Sequence, residues 1–205
     1  MNPSQSDQDS GMPQADSGVV FPAYMYRPSL LGAPFTFRLT ETGLAFEAGR
    51  RAGLAPYGTI GRVRLSFKPS SMQSQRYLTE IWAADMPKLT VVSSSWKSMM
   101  VQERQDKDYS AFIAELHRRL HAAGTATVFE RGSVPFLYWP GLAVFAAVAL
   151  GLALLVVRAL QVDAKAGAAF IGAFLALFLW QGGNFFRRNK PGAYRPNALP
   201  ADLLP

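Results

Sequence analysis

The spacing of apolar residues divides this chain into two parts that follow different patterns. Before Pro135, short segments alternate between apolar and polar positions, as strands do when one face of a sheet is buried. After Pro135, two long segments are apolar on every side of a helix. The pattern predicts an α+β domain over 19–124, followed by a pair of membrane-spanning helices. The predicted strands cover 35–39, 44–47, 60–67, 76–84 and 88–94.

One predicted strand contains an irregularity that is visible in its own pattern. Val63, Leu65 and Phe67 share the parity of an inward face, and Ile60 does not. The strand is therefore predicted either to bulge after Ile60 or to begin at Gly61.

The strands are followed by one amphipathic helix, predicted over 108–123. Its apolar residues recur at helical spacing and form a single stripe along one side. Asp108 is placed to cap the amino end of this helix, and Gly124 is placed to end it. The stripe consists of Tyr109, Phe112, Ile113, Leu116 and Leu120.

The two apolar segments, 136–157 and 166–186, contain no charged residue and are 22 and 21 residues long. A helix needs about 20 residues to cross about 30 Å of hydrocarbon. The connection 158–165 is long enough only for a reversal of direction. We therefore predict an antiparallel transmembrane hairpin over 136–186, with both chain termini on the same side.

Basic and aromatic residues at the ends of the spans predict the orientation of the hairpin. Arg187 and Arg188 directly follow the second span, where they are predicted to anchor it at the membrane interface, and Arg131 precedes the first. By the positive-inside rule, this excess of basic residues predicts that both termini face the cytoplasm. Amphipathic rings that favour the membrane interface agree with this placement, namely Tyr138, Trp139 and Trp180.

Small residues recur every four positions in both spans, a pattern that allows helices to approach closely. Two partners remain open for these faces. They pack either against each other within the hairpin or against another membrane protein. The first face consists of Ala143, Ala147 and Gly151, and the second of Ala168, Gly172 and Ala176.

The segments outside these elements are predicted to be irregular. Residues 1–18 are polar, lack the basic and apolar regions of a secretory signal, and are predicted to be disordered. Residues 125–135 are interpreted as a linker. The segment 187–205 is basic and proline-rich, and is interpreted as an extended tail, with a docking peptide as the alternative.

Composition and candidate chemistry narrow the possible functions. The chain has no cysteine, which excludes disulfides, thiolate catalysis and cysteine-ligated metals. Its net charge of +7 does not indicate nucleic-acid binding, because the late basic residues flank apolar spans. His117 and His121 lie four residues apart but have no third ligand on their face of the helix, so they are interpreted as its polar flank. No catalytic group, metal site or cofactor is predicted.

The order of elements resembles the bacterial membrane proteins that have pleckstrin-homology-like domains. The resemblance depends on the strand at 57–67, the strand at 88–94 that ends in serines, and the run Tyr-Ser-x-Phe-Ile-x-x-Leu-His at 109–117. It covers about half of the chain and consists of hydrophobic patterns. The resemblance implies a small antiparallel sheet or barrel, a location in the bacterial inner membrane, and binding of lipids or proteins rather than catalysis.

Basic residues in the soluble domain are the candidate contacts for an anionic lipid or a partner. Arg62 and Arg64 share one strand face, and Arg50 and Arg51 lie in a predicted turn. The alternative is that these arginines only form a solvated face. The predicted function is a membrane-anchored, multi-pass interaction module whose partners are membrane lipid and a protein. The alternative is an accessory subunit of a larger membrane complex that packs through its hairpin.

Overall fold

The computed structural model describes residues 22–68, 76–97 and 102–205. The predicted disordered segment 1–18 lies outside these residues. The described chain contains two long helices and an α+β domain built from three sheets. Residue patterning in the strands and in the first helix places one continuous apolar core inside the domain.

The first sheet is an antiparallel meander in the order β1-β2-β3-β4, and the second has the order β11-β10-β5-β6-β7. Within the second sheet, β5, β6 and β7 are antiparallel, whereas β10 runs parallel to β5. A short pair, β8-β9, leads into the first helix. The strands are β1 (Ala23–Tyr26), β2 (Phe35–Leu39), β3 (Gly43–Ala48), β4 (Arg51–Pro56), β5 (Ile60–Phe67), β6 (Tyr77–Ala83), β7 (Leu89–Val92), β8 (Ser94–Trp96), β9 (Gln102–Arg104), β10 (Val128–Arg131) and β11 (Gly192–Ala193).

The predicted irregularity in β5 is a bulge. The pairing of β5 with β6 shifts register between Ile60 and Arg62, which leaves Gly61 without a pairing partner on β6. This shift lets Ile60 face the core although its parity differs from that of Val63 and Leu65. The prediction of a bulge after Ile60 is confirmed.

Helix α1 (Asp106–Ala122) closes the core with the predicted apolar stripe. The prediction that Asp108 caps the helix was wrong, because the helix begins earlier and its N-cap, Gln105, forms no side-chain cap hydrogen bond. Gly124 ends the helix as predicted, and its φ of +62° is a conformation that glycine adopts without strain.

Helices α2 (Pro135–Gln161) and α3 (Lys165–Arg188) form a helical hairpin, and both are long and apolar enough to cross a membrane. They pack through the ring of Phe145, which stacks on Phe178 at 4.7 Å between centroids. A Cβ added to Gly182 would lie 2.1 Å from the Phe145 ring, so this glycine makes room for that ring. Most other side chains of the hairpin are exposed within the monomer.

The predicted small-residue faces differ in how far the hairpin buries them. Ala168 is buried at 4% exposure, but Ala143, Ala147 and Gly151 are exposed and lie outside the contact between α2 and α3. Aromatic rings rather than these residues determine how the helices meet. Contact of the exposed face with a second membrane protein stays a prediction.

Two segments expected to be irregular are parts of the domain. The predicted linker 125–135 contains β10, and the predicted tail 187–205 contains β11, which pairs with β10. Leu203 near the end of the tail is fully buried in the core. These segments are too short to show a strand or helix period, and only pairing with β5 and the core gives them structure.

Candidate functional site

A cleft of about 520 Å³ lies where the second sheet meets the helical hairpin. One wall is the outer face of the sheet, and the other is formed by the amino end of α2 and the carboxyl end of α3. The sheet wall is polar and the helical wall is largely apolar. The sheet contributes Arg64, Ser66, Lys68, Glu80, Trp82 and Lys88, and the hairpin and its lead-in contribute Gly132, Ser133, Val134, Leu137, Tyr138, Gly141, Phe185 and Phe186.

The alternation of side chains along β5 determines which residues form the polar wall. Because Val63, Leu65 and Phe67 point into the core, the residues between them point outward. The register of the sheet then sets Arg64 opposite Glu80 on β6 and opposite Glu130 on β10.

The polar wall contains a charge cluster around one tryptophan. Arg64 donates to Glu130 from Nε at 3.0 Å, and the ammonium of Lys88 lies 2.5 Å from a carboxylate oxygen of Glu80. The charged groups of Arg64 and Lys88 lie 5.2 and 5.7 Å from the centre of the Trp82 ring, within the range of cation–π attraction. Arg62 approaches the same ring at 5.5 Å from outside the cleft. The arginines predicted on β5 are therefore organised by carboxylates and an indole ring.

Ser66 is the least satisfied polar group of the cleft. Its side chain is on the lining, the residue is only 5% exposed, and its hydroxyl has no hydrogen-bond partner among the described residues. Lys68, two residues further along the outer face, is exposed and has no carboxylate partner within the described part of the chain. The positive charge of Lys68 thus remains available at this end of the cleft, whereas the Ser66 hydroxyl is itself buried.

Hydrogen bonds of Asn189 hold the two walls together. Asn189, which follows α3, accepts a hydrogen bond from the Phe67 N–H at 3.0 Å and donates one to the Phe67 carbonyl at 2.7 Å. Its own carbonyl accepts from the N–H of Ser133 at 2.9 Å. Asn189 is fully buried, so the pairing is shielded from water. The cleft is therefore bounded by elements that are fixed to each other.

Gly132 allows the two ends of the hairpin to approach each other closely. Its φ is +78°, and an added Cβ would lie 2.4 Å from the carbonyl oxygens of both Asn189 and Lys190. Only glycine avoids both the strained conformation and this contact.

Arg188 is held at the same joint. Its guanidinium donates to the Tyr77 hydroxyl at 3.1 Å and lies 4.7 Å from the centre of the Phe67 ring. Arg188 was predicted as a membrane-interface anchor together with Arg187, and the structure places Arg188 on the domain, whereas Arg187 is exposed.

The aromatic residues predicted as interface anchors divide in the same way. Trp139 and Trp180 are 60% and 73% exposed, with no protein surface over most of their rings. Tyr138 is only 7% exposed, lines the cleft and donates its hydroxyl to the Phe186 carbonyl at 3.2 Å. Its packing brings α2 and α3 together beside the domain.

The arginines predicted in the β3–β4 turn lie at a second cavity. Arg50 and Arg51 line a space of about 260 Å³ between the first sheet and β7, together with Phe37 and Phe46. Lys88 borders this cavity as well as the cleft. The four predicted arginines therefore do not form one site.

A buried histidine fastens the carboxyl-terminal segment to α1. His117 is fully buried, which corrects its interpretation as part of a polar flank. The carbonyl of Ile113 can only accept, so Nδ1 of His117 donates to it at 2.7 Å, and Nε2 accepts from the Tyr194 hydroxyl at 2.7 Å. Burial lowers the pKa of His117 to about 4. The ring is thus neutral near pH 7.

His121 does not share this environment, since it is exposed on the surface of α1. Among the described residues, no group of three or more metal-ligating side chains is close enough to hold an ion. The two histidines therefore have separate surroundings.

The cleft was not predicted from the sequence. The alternation along β5 predicts that Arg64 and Ser66 face outward, which is the only sequence signal for the polar wall. The apolar wall comes from residues more than 60 positions later, which no local pattern connects to β5. Comparison with family models, curated proteins and solved structures gave no match.

Proposed function

We propose that this chain is a membrane-anchored interaction module, in which the helical hairpin holds the α+β domain against one face of a membrane. The observation that supports this most directly is how the hairpin is connected to the domain. The chain leaves the domain after β10 to form the hairpin and re-enters it just before β11, so both ends of the hairpin continue into one folded unit. The apolar surface of the hairpin is uncovered, and hydrocarbon would satisfy it without exposing backbone polar groups.

The arrangement of the domain supports a pleckstrin-homology-like assignment. A four-stranded antiparallel meander is followed by the antiparallel strands β5, β6 and β7, and then by a helix that closes the core. We propose a binding role, not a catalytic one, with membrane lipid and a protein as partners. The cleft beside the hairpin is where the domain offers groups to such a partner.

We place the domain on the cytoplasmic face of a bacterial inner membrane. Arg131, Arg187, Arg188 and Lys190 lie at the domain end of the hairpin. At the opposite turn, Asp163 offsets part of the charge of Arg158 and Lys165. The positive-inside rule favours the more basic end for the cytoplasm.

The proposal is tested by membrane extraction and topology of the full-length protein. We expect it to remain in the membrane pellet after alkaline carbonate treatment and to be released by detergent. A tag after Pro205 is expected to be protected from protease in spheroplasts and digested in inverted vesicles. Release by carbonate alone would contradict the anchor, and digestion in intact spheroplasts would contradict the orientation.

A second candidate function, an accessory subunit of a larger membrane complex, is favoured by the exposed small-residue face of α2. Ala143, Ala147 and Gly151 lie on the side of α2 that α3 leaves free. Ala147→Leu would block close approach of another helix there, whereas Leu150→Ala provides a control on the same helix. If a protein partner recovered in mild detergent is lost only with Ala147→Leu, the hairpin is the contact. If the partner is retained by Ala147→Leu and lost on Arg64→Gln, the domain is the contact.

A further inference from the structure

The cavity of about 260 Å³ between the first sheet and β7 is a groove with an aromatic wall. Tyr26, which is buried, packs against two of the rings that form this wall. Arg50 and Arg51 also line the space, which we call the aromatic groove. An apolar wall with cations beside it fits a segment that combines apolar and acidic side chains. The rings of the wall belong to Phe35, Phe37 and Phe46.

A tight turn presents the two arginines to the aromatic groove. Ala48 pairs with Arg51, so only Gly49 and Arg50 form the loop between β3 and β4. A Cβ built at Gly49 would lie 3.7 Å from the Phe35 ring, which places this turn directly beside the aromatic wall. The arginines are therefore held next to the groove by strand pairing.

The charges of these arginines are not offset within the described part of the chain. Both side chains are exposed, and none of the ion pairs among the described residues includes Arg50 or Arg51. Glu47, the nearest carboxylate in the sequence, is exposed on the outer face of β3. Lys88, the third cation of the lining, is paired with Glu80. The aromatic groove thus offers two positive charges to an acidic segment.

The amino-terminal part of this chain has the complementary composition. Residues 1–21, which precede β1 and lie outside the described residues, contain three aspartates and no lysine or arginine. The whole chain has a net charge of +7, so residues 22–205 carry +10. The three aspartates are confined to the acidic segment 7–16, which also contains Met12. A methionine thioether packs favourably against aromatic rings, so this segment matches both parts of the aromatic groove.

The acidic segment is attached close enough to reach the groove of its own molecule. The Pro22 carbonyl accepts a hydrogen bond from the Leu39 N–H at 2.9 Å, and Phe35 lies four residues away along β2, at about 13 Å. Met12 precedes Pro22 by ten residues, and ten extended residues span about 33 Å. The attachment also gives the segment a high local concentration at the groove.

We propose that the acidic segment 7–16 docks in the aromatic groove of its own chain. Its aspartates pair with Arg50 and Arg51, and Met12 packs against the phenylalanine rings. The segment then competes with any acidic partner for this face of the domain, because the face is already covered in the free protein. The inference goes beyond the proposed function, since it does not require the hairpin to lie in a membrane.

Photocrosslinking of the full-length protein in mild detergent tests the docking. Met12 is replaced by p-benzoylphenylalanine, and the crosslinked peptides are identified by mass spectrometry after irradiation. We expect crosslinks within single chains to the segments that line the aromatic groove, 35–51 and 87–90. Crosslinks to other parts of the chain, crosslinks between two copies, or no crosslink at all would overturn the proposal.

A pair of double variants tests the role of the arginines. Arg50→Gln with Arg51→Gln removes both charges beside the groove and is expected to lower the crosslinking yield about fivefold. Arg38→Gln with Lys107→Gln removes the same charge from exposed positions elsewhere on the domain and should crosslink like the parent protein. All four side chains are exposed, so both variants should keep the melting temperature of the parent. Equal yields for the two double variants would overturn the pairing with Arg50 and Arg51.

Reconstitution into vesicles distinguishes the acidic segment from a membrane surface as the occupant of the groove. We expect the same crosslink in vesicles of phosphatidylcholine and of phosphatidylglycerol. Loss of the crosslink in phosphatidylglycerol alone would assign the arginines to the membrane and overturn the docking. If the crosslink forms in a protein that carbonate releases from membranes, the docking stands and the proposed anchor fails. If carbonate leaves the protein in the membrane and the crosslink is absent, the anchor stands and the docking fails.

Discussion

Phe112 in α1 and Phe136 in α2 are the same residue type, but the first is 2% exposed and the second 83% exposed. The same difference in exposure separates the α+β domain from the helical hairpin as a whole. The α+β domain gathers its apolar side chains into one core, whereas the helical hairpin leaves most of its apolar side chains uncovered. In water, burial of apolar surface stabilises a fold by about 25 cal/mol per Å². The hairpin gains little from burial of this kind within the chain, as expected if it lies in hydrocarbon as we propose.

The two regions are nevertheless not independent in structure. β10 precedes the hairpin and β11 follows it, and the two strands pair with each other. The Asn189 side chain bonds to the backbone of Phe67 on β5, and the N–H of Gly132 donates to the Leu65 carbonyl on the same strand. The two regions therefore differ in what surrounds them, although they are joined in one folded unit. Three substitutions and one change of pH test how strongly each part contributes to stability.

The largest expected effect is at the joint between the regions. Gly132→Ala would place a Cβ against two carbonyl oxygens while keeping a positive φ. We expect a loss of about 4 kcal/mol in the free energy of unfolding, from backbone strain and from displacement of the Asn189 segment. Thermal unfolding of the full-length protein in detergent measures it.

Gly124→Ala is the matched control for this change. Its φ is also positive, but nothing lies within 4 Å of the added Cβ. It should cost only about 1 kcal/mol. Equal effects of the two substitutions would show that the joint is loose.

The second effect compares one residue type in the two regions. Leu203→Ala removes a fully buried side chain from the domain core, and we expect a loss of about 3 kcal/mol from lost burial and the remaining cavity. Leu160→Ala on the hairpin removes a side chain that is 57% exposed and should change stability by less than about 1 kcal/mol. Chemical unfolding followed by circular dichroism measures both. A small loss for Leu203→Ala would mean that the tail does not belong to the core.

The third effect depends on pH. Because the pKa of His117 is lowered from 6.5 to about 4, the unfolded chain binds a proton more readily than the folded one. This contribution to stability is fully present above pH 6.5 and is lost as pH falls towards 4. Between pH 7 and pH 5 we expect a loss of about 2 kcal/mol.

The measurement compares unfolding of the parent protein and of His117→Gln at several pH values between 7 and 5. The glutamine cannot titrate, so its stability should vary less over this range. Parallel curves for the two proteins would contradict the assigned environment of His117.

The smallest expected effect lies within the hairpin. Gly182→Ala would bring a Cβ to 2.1 Å from the Phe145 ring, which must then move. A ring can shift more easily than backbone, so we expect a net loss of about 1 kcal/mol in helix pairing. Gly172→Ala has nothing within 4 Å and serves as the control.

Disulfide crosslinking between engineered cysteines at positions 149 and 175 would report the pairing of the helices. We expect slower crosslinking for Gly182→Ala than for Gly172→Ala. Equal rates would show that the aromatic contact does not determine the helix spacing.

Strong local patterns made much of the domain predictable. The strict alternation of Val63, Leu65 and Phe67 identified both the strand and its inward face. The parity of Ile60 left a bulge and a strand start at Gly61 as alternatives, and the pairing with β6 decided for the bulge. The stripe of α1 was predicted residue by residue because a helix that covers a core repeats its apolar positions every three or four residues. The predicted start of α1 at residue 108 was wrong because Asp106 and Asp108 both suit the first turn of a helix.

The candidate site could be predicted only in part. Outward parity singled out Arg64, but it gave no information on Glu130 or on the hairpin residues across the cleft. The close packing of Phe145 on Gly182 was missed because four-residue spacing of small residues pointed to other faces. These contacts depend on which surfaces of distant elements meet, and the spacing of residues within one element does not contain that information.

The sequence alone was enough to predict the two parts of this protein: a half-buried sheet domain with alternating strands, and two helices whose charge-free apolar segments are long enough to span a membrane. These follow from periodicity and length, which act between neighbours in the chain. Only the tertiary structure decided that 125–135 and 187–205 complete the domain and that the hairpin forms one wall of a cleft. β10 and β11 have only four and two residues, so their structure comes from hydrogen bonds with distant strands rather than from a pattern of their own.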